Sequence, residues 1–139
     1  MLPLLILFTL AGSATTGYLI GKHYGPRRGP LVCPFGQACD VVLESRYGRI
    51  LGVRNEVIGL GYYIITLALL IMAGQGTGLP FQFFGTTSAL TAVLYLSIPA
   101  FLASLALTLV QVFILRNFCS YCLFANVLNA AIFLVLLFS

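Results

Sequence analysis

The feature that most constrains this chain is the length of its stretches without a charged residue. Residues 1–20, 57–115 and 117–139 contain no Asp, Glu, Lys or Arg. Charged residues make up 7% of the whole chain, whereas a soluble domain carries about 25%. Each crossing of a bilayer needs about 20 apolar residues in a helix. The chain is therefore expected to lie in a lipid bilayer rather than in water.

The uncharged stretches predict four membrane-spanning helices. The middle stretch is too long for one span, and the turn-rich segment 74–80 divides it. No Lys or Arg precedes the first apolar run, so we expect a retained span there rather than a cleaved signal peptide. The prediction is one all-α domain over residues 1–139, a four-helix bundle with spans at about 2–20, 57–73, 87–115 and 121–138.

Nearly all the polarity lies in one loop, residues 21–56, between the first two spans. It holds six of the 7 basic residues and all 3 acids. Residues 40–47 in this loop are expected to form a short amphipathic helix with Asp40 as its N-cap. The basic residues are scattered and form no repeated face, so the net charge of +4 indicates a membrane surface and no nucleic-acid partner.

Two pairs of cysteines carry the clearest chemical signal. Cys119 and Cys122 form a C-x-x-C at the start of the fourth span, and Cys33 and Cys39 lie in the polar loop. The i, i+3 spacing of Cys119 and Cys122 puts their sulfurs on one helix face. The N-terminus of a helix favours the thiolate form of such a cysteine. One pair in a loop and one at the membrane boundary would suit a relay from soluble thiols to a lipid-soluble oxidant.

Two other uses of the four thiols are open at this point. They could form stabilising disulfides, or they could bind zinc as a four-thiolate site. Zinc ribbons place both knuckles in polar sequence, whereas one pair here lies at a bilayer boundary. We therefore favour the relay and expect no metal.

Several short motifs, in this order and at these spacings, resemble the vitamin K epoxide reductase family. The similarity includes the family's microbial members, which couple disulfide formation to quinone reduction. The motifs are Cys33-x5-Cys39-Asp40, Ser45, Ile50-Leu51-Gly52, Asn55-x3-Gly59, Tyr62-Tyr63 and Phe118-Cys119-x-x-Cys122.

The resemblance implies a four-helix bundle around a quinone, capped by the loop between the first two spans. By the same resemblance, Cys33 exchanges with a thioredoxin-like protein, and Cys39 passes electrons to Cys119 through a mixed disulfide. Cys122 then faces the quinone and reduces it.

The resemblance also implies residues that bind the quinone. Asn55 matches a position that hydrogen-bonds a quinone carbonyl, although a helix N-cap is an ordinary role for it. Ser45 matches a loop hydroxyl associated with the site, and Tyr63 could equally be an interface anchor. Asn126 and Asn129 lie about one turn apart and should face the bundle interior, for quinone contact or helix-to-helix hydrogen bonds.

The expected function is therefore that of a membrane thiol oxidase. Animal members that reduce vitamin K have Tyr where this chain has Asn126, which favours a ubiquinone- or menaquinone-type acceptor. No fused thioredoxin-like domain accompanies the span region, so we expect a separate partner protein. The alternatives are a structural four-span protein with stabilising disulfides, and a reductase whose purpose is the quinone itself.

The basic residues also predict an orientation in the cell membrane. All 7 Lys and Arg fall in the loops that carry the cysteines, and none falls on the opposite side. The positive-inside rule therefore predicts a cytosolic site. The resemblance implies the reverse, because most relatives keep this chemistry outside the cytosol, where disulfides persist.

Overall fold

The computed structural model describes residues 1–24, 49–50, 52–75, 86–116 and 119–138. The predicted short helix at residues 40–47 lies outside them. The elements, in chain order, are α1 (Leu2–Tyr24), β1 (Arg49–Ile50), β2 (Val53–Arg54), α2 (Asn55–Gln75), α3 (Thr86–Leu109) with its continuation as a π-helix (Val110–Leu115), and α4 (Ser120–Leu137).

All four helices are long and apolar enough to cross a membrane. The predicted all-α architecture with four spans is therefore confirmed. α1 continues to Tyr24, beyond the predicted end at residue 20, and α2 begins at Asn55 rather than at residue 57. The uncharged runs underestimate both helices because polar residues at the membrane surface can extend a helix. The division into one domain stays a prediction, since the connecting segments lie outside the described residues.

The helices pack as a closed ring. α1 contacts α2 and α4, and α3 contacts the same two helices from the other side. Each helix contributes to one buried apolar cluster at the centre, which contains Leu5, Tyr63, Leu70, Val93, Ile132 and Leu136. Many other large apolar side chains point outward and are exposed, among them Leu7, Tyr95 and Val127. This is the pattern of a bundle whose outer surface contacts lipid.

Several hydroxyls inside the helices, including those of two buried threonines of α1, donate to carbonyls of their own helix. Thr9 Oγ1 donates to the Leu5 carbonyl at 2.6 Å, and Thr16 Oγ1 donates to the Gly12 carbonyl at 2.8 Å. Hydrocarbon supplies no alternative partner, so such bonds let a polar residue lie in a span without a large penalty.

One tyrosine joins three of the helices. The Tyr63 hydroxyl on α2 donates to the Ala125 carbonyl of α4 at 2.9 Å, and its ring packs directly on Gly12 of α1. A Cβ at residue 12 would overlap that ring. Glycine is therefore required at Gly12 by the close approach of Tyr63.

The chain direction brings four helix ends together at one face of the membrane. α1 and the π-helix end there, and α2 and α4 begin there. We call this face the thiol end, since Cys119 and Cys122 lie at the start of α4. The strands β1 and β2 pair antiparallel just before α2, and Gly52 between them has a φ of 81°, which glycine adopts without strain.

The contact between Gly12 and Tyr63 predicts a position-specific effect of alanine. Gly12→Ala should destabilise the bundle by about 1–3 kcal/mol, because the added methyl group overlaps a buried ring. Gly17→Ala is the matched control, since a Cβ at Gly17 of the same helix meets nothing within 4 Å. Thermal unfolding in detergent measures both variants. Equal midpoints for the two would contradict the proposed overlap.

Candidate functional site

The thiol pair is built into the first turn of α4. Cys119 is the N-cap, in an extended conformation with φ −107° and ψ 113°, and its Sγ accepts a hydrogen bond from the Cys122 N–H at 3.4 Å. Both sulfurs are free thiols. Cys119 is fully buried, whereas Cys122 is half-buried. The two sulfurs therefore lie together but in different surroundings.

The surroundings of Cys119 favour its ionised form. The pKa of the Cys119 thiol is lowered, chiefly by a hydrogen bond from the Cys122 thiol. The backbone N–H groups of Cys122 and Tyr121 lower this pKa further, whereas burial and the charge of Glu56 oppose the shift. Unpaired N–H groups at a helix N-terminus stabilise a thiolate in this way.

A cavity of about 160 Å³ lies between the helices on the thiol side of the bundle. Its wall is mostly apolar, with small residues such as Gly59, Ala100 and Ala103. Cys122 is part of the wall. The other polar side chains that line it are Thr16, Asn55, Glu56, Tyr62, Tyr63, Ser104, Gln111, Asn126 and Asn129.

The structure brings together every predicted binding residue that it describes. Asn55, Tyr63, Asn126 and Asn129 all line the same cavity as Cys122. The remaining predicted site residues, Cys33, Cys39 and Ser45, lie outside the described residues.

The two asparagines of α4 also tie α4 to α3. Asn126 Nδ2 donates to Thr108 Oγ1 at 2.9 Å. Asn129 Nδ2 donates to Ser104 Oγ at 2.7 Å and to the Ala100 carbonyl at 3.2 Å. Asn129 Oδ1 is buried and has no hydrogen-bond partner within the described part of the chain. Both residues thus serve helix packing, and Asn129 keeps an acceptor for a further partner.

Tyr63 and Asn55 contribute to the site in different ways. The Tyr63 hydroxyl is bonded to the Ala125 carbonyl, so Tyr63 presents its ring to the cavity. Asn55 is the first residue of α2 and lies at the thiol end of the cavity. An amide there can donate to an oxygen atom that gains charge on reduction.

Sequence reasoning assigned no site role to several polar residues of this cavity, among them Gln111 and Glu56. Gln111 is buried in the π-helix, and its Oε1 accepts a hydrogen bond from the Cys119 N–H at 3.2 Å. Glu56 is buried at the start of α2, where its Oε2 pairs with Arg54 Nε at 3.3 Å. A glutamine in an uncharged span and an acid directly after Asn55 were the available signals, since polar groups in spans are costly.

Side chains that commonly bind metal ions are few in the described part of the chain. Within it, no group of three or more His, Cys, Asp or Glu side chains is placed to hold a metal ion. The polar groups in the cavity wall are amides, hydroxyls, the Cys122 thiol and the carboxylate of Glu56, and such groups can hydrogen-bond an organic molecule.

A comparison with protein-family models identifies the family of this chain. The model of the vitamin K epoxide reductase family matches residues 3–137, which includes all four helices and both pairs of cysteines. The members of this family are membrane oxidoreductases. Because this match covers nearly the whole chain, the chain belongs to the vitamin K epoxide reductase family.

Proposed function

We propose that this protein is a membrane thiol oxidase that passes electrons from a thioredoxin-like protein to a quinone. The observation that carries the proposal is the placement of Cys122 in the wall of the cavity, directly beside the buried Cys119. One thiol of the pair thus meets a bound acceptor, and the other is left to exchange with a second disulfide.

The proposed relay starts at the loop cysteines. The dithiol of the partner protein exchanges with the Cys33–Cys39 disulfide by attack at Cys33. The partner leaves with its own cysteines joined as a disulfide, and Cys33 and Cys39 become thiols. The Cys39 thiolate then attacks Cys119 in the Cys119–Cys122 disulfide and releases the Cys122 thiolate. Attack by Cys33 on the mixed disulfide releases Cys119. The pair Cys119 and Cys122 finally re-forms its disulfide and transfers two electrons and two protons to the quinone, which becomes a hydroquinone.

The lowered pKa of Cys119 supports its place in this relay. A thiol with a low pKa is the better leaving group in disulfide exchange. The same hydrogen bonds that lower the pKa hold Sγ next to the first turn of α4. Release of Cys119 from the mixed disulfide is therefore favoured.

The size and the polar groups of the cavity fit a quinone head group. An apolar cavity of about 150 Å³ takes one benzene ring, and this cavity measures about 160 Å³. Asn55 can donate to a quinone carbonyl, and the unsatisfied Asn129 Oδ1 can accept from a hydroquinone hydroxyl. An isoprenoid tail would leave the bundle into lipid. The proposed acceptor is of the ubiquinone or menaquinone type.

The proposed orientation places the thiol end in the cytosol. Among the described residues, Arg54 precedes α2 and Arg116 precedes α4, so both lie at the thiol end. The other Lys and Arg residues belong to the connection between α1 and α2 or to its edges. The positive-inside rule supports this orientation.

Quinone reduction by the purified protein tests the relay. Without oxygen and with a small dithiol as donor, we expect wild-type turnover and none for Cys122→Ser, because one thiol cannot form the intramolecular disulfide. Cys33→Ser should keep this turnover but lose it when a thioredoxin-like protein replaces the dithiol. Thr9→Val is a control outside the cavity, where the lost hydroxyl is bonded within α1.

Two results would contradict the relay. Turnover by Cys122→Ser equal to that of the wild type would remove Cys122 from the reaction. A wild type that reduces neither ubiquinone, menaquinone nor vitamin K would leave the cysteines as stabilising disulfides of a structural protein.

The pH dependence of alkylation tests the environment of Cys119. A lowered pKa means that the Cys119 thiolate persists at a lower pH, so its alkylation midpoint should lie below that of an ordinary cysteine. Cys122→Ala removes the main stabilising hydrogen bond and should raise that midpoint. Peptide mass spectrometry assigns the label to Cys119. An unchanged midpoint in Cys122→Ala contradicts the stated cause.

Labelling of single cysteines in sealed vesicles tests the orientation. In a background without native cysteines, Arg116→Cys should react with a membrane-impermeant maleimide only in inside-out vesicles. Phe138→Cys, just after the end of α4, should show the opposite pattern. Labelling of Arg116→Cys in right-side-out vesicles would place the thiol end outside the cytosol.

A further inference from the structure

Gln111 is a buried amide at the junction of the cavity and the thiol pair. It is 3% exposed, lies in the π-helix that continues α3, and lines the cavity. An amide in a span is costly unless its hydrogen-bonding groups are used. The use of each end of this amide therefore needs an explanation.

The oxygen end of the amide holds the backbone of Cys119. As the N-cap residue of α4, Cys119 has no intrahelical acceptor for its N–H group, and its side chain is fully buried. Gln111 Oε1 accepts this N–H at 3.2 Å. The bond connects the end of α3 directly to the start of α4. It fixes the position from which Cys119 Sγ contacts Cys122.

The nitrogen end of the amide is available to the cavity. Within the described part of the chain, Gln111 Nε2 donates no hydrogen bond, although the residue lines the cavity. A bound molecule with an acceptor oxygen would satisfy this donor. The carbonyl oxygen of a quinone is such an acceptor.

The local backbone shows that this placement carries a conformational cost. Residues Val110–Leu115 form a π-helix rather than an α-helix, and Arg116 directly after it has a φ of 48°. π-Helical turns are rare and are often found at functional sites. A left-handed conformation at a residue other than glycine is also strained. The amide that reaches Cys119 belongs to this π-helix, and Arg116 is the residue at which the π-helix ends.

We propose that Gln111 is a binding and positioning residue whose Oε1 fixes the Cys119 backbone while its Nε2 donates to a carbonyl oxygen of the bound quinone. This inference rests on the proposed function, because it takes the quinone as the occupant of the cavity. One side chain thus links the occupant to the thiol pair. Occupancy of the cavity and the position of Cys119 are coupled in both directions.

Two substitutions separate the two ends of the amide. Gln111→Leu removes both the acceptor and the donor, whereas Gln111→Glu, measured at a pH at which its carboxyl group is ionised, keeps an oxygen for the Cys119 N–H and loses the donor. Thr9→Val is the control, a buried polar residue that does not line the cavity. The readouts are kcat and KM for a short-chain ubiquinone with a dithiol donor, and hydrogen exchange of the Cys119 amide without quinone.

The two variants should differ in one readout and agree in the other. Both should lower kcat/KM by about tenfold, the effect of one lost hydrogen bond to the acceptor. Amide exchange at Cys119 should become faster in Gln111→Leu and stay slow in Gln111→Glu. Thr9→Val should match the wild type in both measurements.

The outcomes distinguish this inference from the proposed function. Wild-type turnover together with unchanged kcat/KM in both variants overturns the binding role of Nε2. Slow Cys119 amide exchange in folded Gln111→Leu overturns the positioning role. If Gln111→Leu does not fold, fast Cys119 amide exchange in folded Gln111→Glu overturns it instead. Absence of wild-type quinone reduction overturns the proposed function, while the exchange measurement still decides the positioning role.

Discussion

Hydrocarbon offers no hydrogen-bond partners, and this constraint governs how the bundle uses its polar side chains. Hydroxyls such as that of Thr16 bond to carbonyls of their own helix. The amides of Asn126 and Asn129 bond instead to α3. These bonds hold the side chains around the cavity in place before any molecule binds. The polar side chains in the cavity wall are therefore held in place by the same interactions that keep the helices together.

The first turn of α4 gives two identical side chains different chemistry. Cys119 caps the helix, is fully buried, and receives hydrogen bonds from backbone N–H groups. Cys122, one turn later, lies in the cavity wall. Three residues of helix therefore separate a thiol with a stabilised anion from a thiol that lines the cavity. The N-terminus of α4 is enough to give the two thiols these different surroundings.

The four spans were predictable because uncharged runs of this length have few alternatives to a membrane helix. The place of Asn55 in the cavity wall followed from the resemblance. The inward direction of Asn126 and Asn129 followed from the cost of a polar side chain in a span. Gln111, a glutamine in a span, was an available signal, but the direction of its side chain was not predictable, because a π-helix departs from the 3.6-residue period on which helix faces are inferred. Glu56 was hidden for another reason: an acid beside a span resembles the end of a polar loop, whereas the structure buries it.

The direction of the chain has an electrical consequence for the cavity. α2 and α4 both begin at the thiol end, and the first turns of both helices contribute residues to the cavity wall, Asn55 on one and Cys122 on the other. Each helix N-terminus carries about half a positive elementary charge. Two helix macrodipoles therefore direct their positive ends at one small, mostly apolar space. A negative charge in the cavity would be stabilised by these two positive ends. It would be opposed by the carboxylate of Glu56, which pairs with Arg54, and by the C-terminal end of the π-helix, whose last residue, Leu115, also lies in the wall.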